Sequence, residues 1–244
     1  EVEYQNRNIF YFGAIHTRQY SDQQFIILKK HFHSFIETTN KKDIVVVVED
    51  GPYIPQENIK ESIRLFGENG AVTFYANLLN IPVVCFEPLM REQIEFLLKK
   101  YSREIIYLFY FIRSLVFYNT GNRNAKETIG ININQYNKWF FKHAQWKKFE
   151  YSFQHLFDIY KQTFKMELEI NIDFFKELIV PAPNTVLNKL ALDLNKFRDQ
   201  SITIGYKRLL INKKNFFIVY GRNHLLEHKA IIEELIGREK LVRL

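Results

Sequence analysis

A chain of 244 residues, 47% of them hydrophobic and with charges of both signs, is long enough for a large domain with a real core and too apolar for disorder to be its main state. A single cysteine, Cys85, excludes an intramolecular disulfide framework and a cysteine zinc cluster, and fits a reducing compartment. The net charge of +7 is scattered, with no run of five or more basic residues, which predicts a solvated basic surface and no nucleic-acid partner.

In chain order, Asn8–Gly13 reads as a strand. Ser21 with Gln24 has capping-box spacing and opens a helix in which Phe25, Leu28, Phe32 and Phe35 recur at helical intervals. Asp43–Glu49, "DIVVVVE", is a continuous apolar run of the kind a parallel strand buried on both faces requires. Gly70–Asn80 is a helix apolar on most sides, and Ile81–Glu87, "IPVVCFE", is a further buried strand. From about Leu89 to Asn171 the pattern is helical and strongly aromatic, with an Asn/Gly-rich break at Asn119–Asn124. Within it, Ile105–Tyr118 is the most apolar stretch. It is shorter than the roughly 20 residues a bilayer requires and is interrupted by Arg113, so it predicts a buried or cleft-lining helix and no membrane span. "VPAPN" at Val180–Asn184 is a loop. Helices follow at about Thr185–Phe197 and Gln200–Leu210, then a strand at Asn215–Tyr220 and a last helix ending at Gly237 as its C′ cap.

Strands alternating with helices at both ends predict an α/β fold with a mostly parallel or mixed central sheet flanked by helices. No linker rich in Gly, Ser or Pro divides the chain, which predicts a single domain over 1–244 with a helical insertion at about 91–171 between two sheet-forming halves, placed as a lid over the carboxyl ends of the strands.

That architecture binds ligands at the carboxyl ends of its strands. The first strand there delivers His16, the second Glu49, the third Glu87 and the last His224, so two histidines and two carboxylates are expected on one rim. The two histidines belong to matching exits, "GAIH" and "GRNH". Nine glycines and seven histidines would give only about a quarter of one Gly-x-x-His match by chance. Glycine at 13 and 221 permits positive φ or a close backbone approach. The bland alternative is that each glycine is a turn and each histidine a polar loop residue or helix cap.

With Gly13–His16, Gly221–His224 and Glu49 in this order, the chain resembles the TraB/TIKI-type superfamily, which includes erythromycin esterase-like and ChaN-like proteins. Two further features are similar to that family: Glu68 before the helix preceding the third strand, and the pair Arg198–Asp199 opening the helix before the last strand. The resemblance spans about residues 8–90 and 195–240. Two features depart from the pattern. The glycine usual shortly after the second histidine is missing from "HLLEHK", and the membrane anchors of several members are absent. The resemblance implies a metal-assisted hydrolase of peptide or ester bonds, one branch of the family binding haem instead.

The residues suit that chemistry in their own right. Two neutral imidazoles with a carboxylate suit Mn, Co, Fe or Zn and leave positions open for water, which favours His16, His224, Glu49 and Glu87 as metal ligands. Three of these suffice, and the carboxylate that remains, Glu49 or Glu68, takes the proton of the attacking water and returns it to the leaving group. Arg198 binds a substrate carboxylate or steadies an oxyanion, with Asp199 beside it; a salt bridge to Asp199 or to a sheet-edge glutamate is the equal alternative. His31 and His33 read as surface residues. His228, four residues after His224, shares an ion only if both lie on one helix. Cys85 reads as a small core residue. Trp139, Phe140, Phe141 and Trp146 either line a cleft for an apolar substrate or pack a core. A non-catalytic protein on the same fold, holding haem or a small molecule, is the alternative function. A soluble protein is expected, cytoplasmic or, since the chain begins at Glu1, exported after signal removal.

Overall fold

The structure is a computed structural model that describes residues 2–4, 7–51, 53–118, 125–212, 214–236 and 242–243. Its sheet is built from Val2–Tyr4 (β1), Arg7–Ala14 (β2), Ile44–Val48 (β3), Val83–Val84 (β4), Asn215–Gly221 (β5) and Val242–Arg243 (β6), in the order β4-β3-β5-β2-β1-β6. The four strands β4, β3, β5 and β2 run parallel, and β1 and β6 add an antiparallel edge. The fold class is α/β, as the alternation of strands and helices predicts.

Every residue of β3 and β5 is buried, which is why both read as unbroken apolar runs. Val46, Val48, Phe217 and Val219 face the helices Gln23–Glu37 (α1) and Ile59–Leu78 (α2), packing with Phe25, Leu28, Phe32, Ile63 and Val72. Val47, Phe216, Ile218 and Tyr220 face the other way, packing with Ile202 and Tyr206 of Val186–Ile211 (α8) and Ile232 of Leu225–Ile236 (α9). The register pairs Ala14 with Gly221 and Val48 with Val219, so β2 and β5 end level and β3 ends two residues short of them on the same rim.

Several boundaries differ from the sequence reading. Asp22, not Ser21, caps α1 by accepting from the Gln24 N–H, because the turn before it closes through Asp22 N to Gln19 O. The helix expected at Gly70–Asn80 begins eleven residues earlier, at Ile59, where Asn58 accepts from the Glu61 N–H. It passes through a kink at Gly67. The third strand shrinks to Val83–Val84, an edge strand whose entry is fixed by Pro82, a residue without an N–H to donate. The two helices expected on either side of Asp199 are one, α8, since no glycine or proline lies between Val186 and Ile204 to stop it. The expected break at Asn119–Asn124 and the expected cap at Gly237 lie outside the described residues.

The chain divides into two compact units, Glu1–Glu87 with Gln200–Leu244, and Pro88–Asp199. The second unit contains Met90–Leu97 (α3), Arg103–Tyr118 (α4), Ala125–Ala144 (α5), Phe153–Phe164 (α6), Ile172–Ile179 (α7) and the first part of α8. The run Ile106–Ile112 of α4 is buried throughout at its centre. Tyr136 donates to the Tyr107 carbonyl at 2.5 Å, and the Tyr107 hydroxyl donates to Asn137 Oδ1 at 2.5 Å, so the buried phenols keep their hydrogen bonds. Phe140 and Trp146 pack this core, while Trp139 and Phe141 are exposed. No helix among the described residues is long and apolar enough to cross a membrane.

The sheet core makes a direct prediction. Phe217 is fully buried, stacks on Phe10 with ring centroids 4.8 Å apart and meets Phe32 and Phe35 edge-on. Phe217→Ala should lower the unfolding free energy by about 3–5 kcal/mol in a chemical denaturation curve, the cost of an unfilled aromatic site.

Candidate functional site

The carboxyl ends of β2, β3 and β5 bring together four of the residues that the sequence nominates. Beyond β2 the chain loses regular structure and carries His16 back toward α2, where His16 Nδ1 and Glu68 Oε1 are 2.5 Å apart. One residue past β3, the Glu49 carboxylate lies between the histidines: Oε2 stands 3.9 Å from His16 Nε2, and Oε1 stands 3.5 Å from His224 Nε2. His224 closes a 3-10 turn, Arg222–His224, that follows β5 directly, and α9 starts at the next residue. Its Nδ1 is 3.4 Å from Glu227 Oε2, one helical turn on. The convergence that the topology predicts for His16, His224 and Glu49 is therefore present, with Glu68 behind His16.

Glycine serves the two exits differently. Gly221 has φ −54° and ψ 137°, an ordinary backbone, but a Cβ there would fall 2.6 Å from His16 Nε2 and 3.3 Å from Glu49 Oε2. Its N–H donates to Glu49 Oε2 at 2.7 Å. Close approach, not positive φ, is what that position demands. At Gly13 a Cβ would meet only ordinary contacts, the nearest 3.4 Å away at Arg222 Cα, and φ is not positive. The glycine that does need positive φ is one the sequence reading passed over: Gly67, at φ 57°, ψ −137°.

The exposure of the groups is graded. His16 has 65% of its side chain exposed, His224 26%, Glu49 13% and Glu68 3%. The hydrogen bond to Glu68 raises the His16 pKa above its ordinary 6.5, burial opposes the rise, and the charges of Glu68, Glu49 and Asp50 add to it. Asp50, adjacent to Glu49, holds φ at 55°, a left-handed conformation uncommon outside glycine and tolerated by aspartate.

The other nominated residues are described on their own elements. Glu87 follows β4, and its charge raises the hydroxyl pKa of Tyr206 and of Tyr220, which burial raises most. Arg198 and Asp199 belong to α8 within the second unit, where the Arg198 charge acts on the Tyr110 hydroxyl. His228 is fully buried, with Nδ1 3.0 Å from the Tyr206 hydroxyl and its ring against Tyr220 and Tyr11. His224 closes the 3-10 turn that runs straight into α9, and its ring lies 5.7 Å from that of His228, so the two are neighbours in the manner of an i, i+4 pair, although His228 Nδ1 is engaged with the Tyr206 hydroxyl. The hydroxyls of Tyr11 and Tyr220 are buried with no hydrogen-bond partner among the described residues. Burial pushes the Cys85 thiol up, in keeping with a packing role. His33 is exposed, whereas His31 is half-buried against Phe10 at 5.1 Å. Sequence reasoning missed Glu227, Asp50 and the two tyrosines, Tyr11 and Tyr220, that surround His228; of these only Glu227, at i+3 from His224, left a readable signal.

As the side chains stand, no group of three or more His, Cys, Asp or Glu among the described residues is arranged to hold a metal ion. His16, Glu49 and His224 fall short of that arrangement. Their donor types suit a divalent transition ion, and their nitrogen–oxygen separations of 3.5 and 3.9 Å exceed by a few tenths of an ångström the roughly 3.4 Å between neighbouring ligands of a tetrahedral centre. The chain matches no family model, no curated protein and no solved structure.

The raised His16 pKa sets a stability window. A histidine whose folded pKa exceeds its unfolded one contributes stability in full below the unfolded value, and loses it as pH rises through the folded value. The melting temperature of the chain, relative to that of His16→Gln, should therefore be highest below pH 6.5 and converge above the raised pKa. A difference that grows with rising pH would contradict the pairing with Glu68.

Proposed function

We propose that this chain is a metal-dependent hydrolase of peptide or ester bonds, of the TraB/TIKI type, in which His16, His224 and Glu49 hold a divalent transition ion such as Mn, Co, Zn or Fe. The observation that carries the reading is the Glu49 carboxylate flanked by the Nε2 atoms of both histidines, while each Nδ1 is backed by a further carboxylate, Glu68 or Glu227. Imidazoles that ligate metals are usually oriented by such outer partners. An ion held there supplies Lewis acidity, polarising a substrate carbonyl and bringing the pKa of a water toward neutrality.

The chain's own groups divide the remaining work. Gly221 N–H fixes the Glu49 carboxylate by its bond to Oε2, so the two oxygens face different histidines. Glu68 is engaged at His16 Nδ1 and Glu49 belongs to the set that would hold the ion, so the proton of an attacking water is assigned to neither. The exposure of His16 leaves its side of the site open to a substrate of some size. No step is assigned to Glu87, Arg198 or Asp199.

Elemental analysis and titration calorimetry with Mn, Co and Zn salts test the reading, followed by a panel of peptides and esters. One ion per chain and ion-dependent turnover are expected. His16→Ala should lower ion affinity about 100-fold or more and abolish turnover, with a nearly unchanged melting transition because the residue buries little apolar surface. A wild-type chain that takes up no divalent ion at millimolar concentration would refute it.

A further inference from the structure

The helix α2 is broken at the residue before Glu68. Gly67 takes φ 57°, ψ −137°, and a Cβ built on it would lie 2.8 Å from the Thr17 carbonyl oxygen. No other glycine among the described residues has positive φ. A side chain at that position would be both strained in its backbone and in collision with the segment that carries His16. Through this break the helix backbone approaches the Ile15–Thr17 segment, and Glu68, the next residue, meets the imidazole.

The same segment is gripped from its other side. Gln24 of α1 accepts from the Ile15 N–H at 3.1 Å and donates to the Ile15 carbonyl at 2.7 Å. The chain on either side of His16 is thus held at Ile15 by a glutamine from one helix and at Thr17 by a glycine contact from another, and His16 itself at its ring by a carboxylate that is 3% exposed. Holding a carboxylate that deep costs several kcal/mol unless it is paired. Fold stability alone offers no reason to put it there, since an apolar residue would fill the volume.

We propose that Glu68 is the positioning residue of His16: it fixes the ring with its proton on Nδ1, so that Nε2 is the nitrogen presented toward Glu49, and the Gly67 break exists to bring it there. Glu68 then acts through His16 and takes no proton from a substrate or water. The consequence for catalysis rests on the metal-dependent reading, but the orientation and tautomer belong to the chain itself and are measurable without any ion.

Nitrogen-15 NMR of the full chain, labelled at histidine and free of metal, reads the tautomer at alkaline pH, where the ring is neutral. His16 is expected as the Nδ1–H form, the minor form of free histidine. Glu68→Ala should return it to the Nε2–H form. Glu68→Gln keeps an acceptor oxygen at that place and should keep Nδ1–H, while lowering Co affinity about 10- to 100-fold. Gly67→Ala should behave as Glu68→Ala with the carboxylate still in the sequence; should that variant not fold, the two Glu68 variants decide alone. A general structural role would lower the melting temperature without moving the tautomer. An Nε2–H ring in the wild type, or a tautomer unmoved in Glu68→Ala, overturns the proposal. If the tautomer moves as expected in a chain that binds no divalent ion, the positioning stands and the hydrolase reading falls.

Discussion

The bond from the Gly221 N–H to the Glu49 carboxylate is the constraint on which the site depends. It spans 2.7 Å between the ends of two adjacent parallel strands, where β3 pairs to its last residue, Val48, with Val219 and β5 runs two residues further to Gly221. The ladder itself extends as far as the Glu49 N–H, which donates to Val219 O at 3.2 Å. Past that point the backbone of β3 leaves the sheet and its side chain takes over the pairing, folding the carboxylate across the tip of β5. A side chain on residue 221 would occupy the space in which His16 Nε2 meets this carboxylate. Sheet register, a bare backbone and one carboxylate therefore set how near the two histidines come.

Around that point the charges are arranged by depth. Glu68 lies deepest, Glu49 is mostly covered, His224 is about a quarter exposed and His16 is the most open. A buried carboxylate is stable only with partners that satisfy its oxygens, and an imidazolium or a donor N–H is such a partner. Each histidine in turn meets carboxylate on both ring nitrogens. The result is an alternating string, Glu68–His16–Glu49–His224–Glu227, running from the α2 face of the sheet across the strand tips to α9. Cations bound near Glu49 would compete with protons on the two Nε2 atoms and leave the outer carboxylates in place.

Much of the fold was readable because burial on two faces writes itself as an apolar run. Ile44–Val48 and Asn215–Gly221 were found within a residue or two for that reason. The edge strand β4 was overestimated because "IPVVCFE" is equally apolar, and only pairing, not hydropathy, distinguishes a strand of two residues from one of seven. The start of α2 was missed although Asn58 and Glu61 carry a capping signal, and at Gly67 the chain bends and continues. At the site, His16, Glu49 and His224 were legible from strand order alone. Glu68 was legible only through family resemblance, and its partner atom was not: nothing in a sequence says which ring nitrogen a carboxylate 52 positions away will reach.

The repeated Gly-x-x-His spelling conceals two different physical solutions. At the first exit the histidine follows irregular chain, so its direction has to be imposed from outside by Gln24, by the Gly67 contact and by Glu68. At the second exit the chain turns at once into a 3-10 turn and then α9, so the backbone itself aims His224, and Glu227 follows three residues later on the same element. One histidine is positioned by long-range contacts and the other by local ones. Substitutions that loosen α1 or α2 therefore act on His16 first, whereas His224 depends on the integrity of the β5–α9 junction. The glycines differ accordingly: Gly221 is required by the atoms it lets meet, while Gly13 stands in ordinary contact and its role at the first exit passes to Gly67, 54 positions later in the chain.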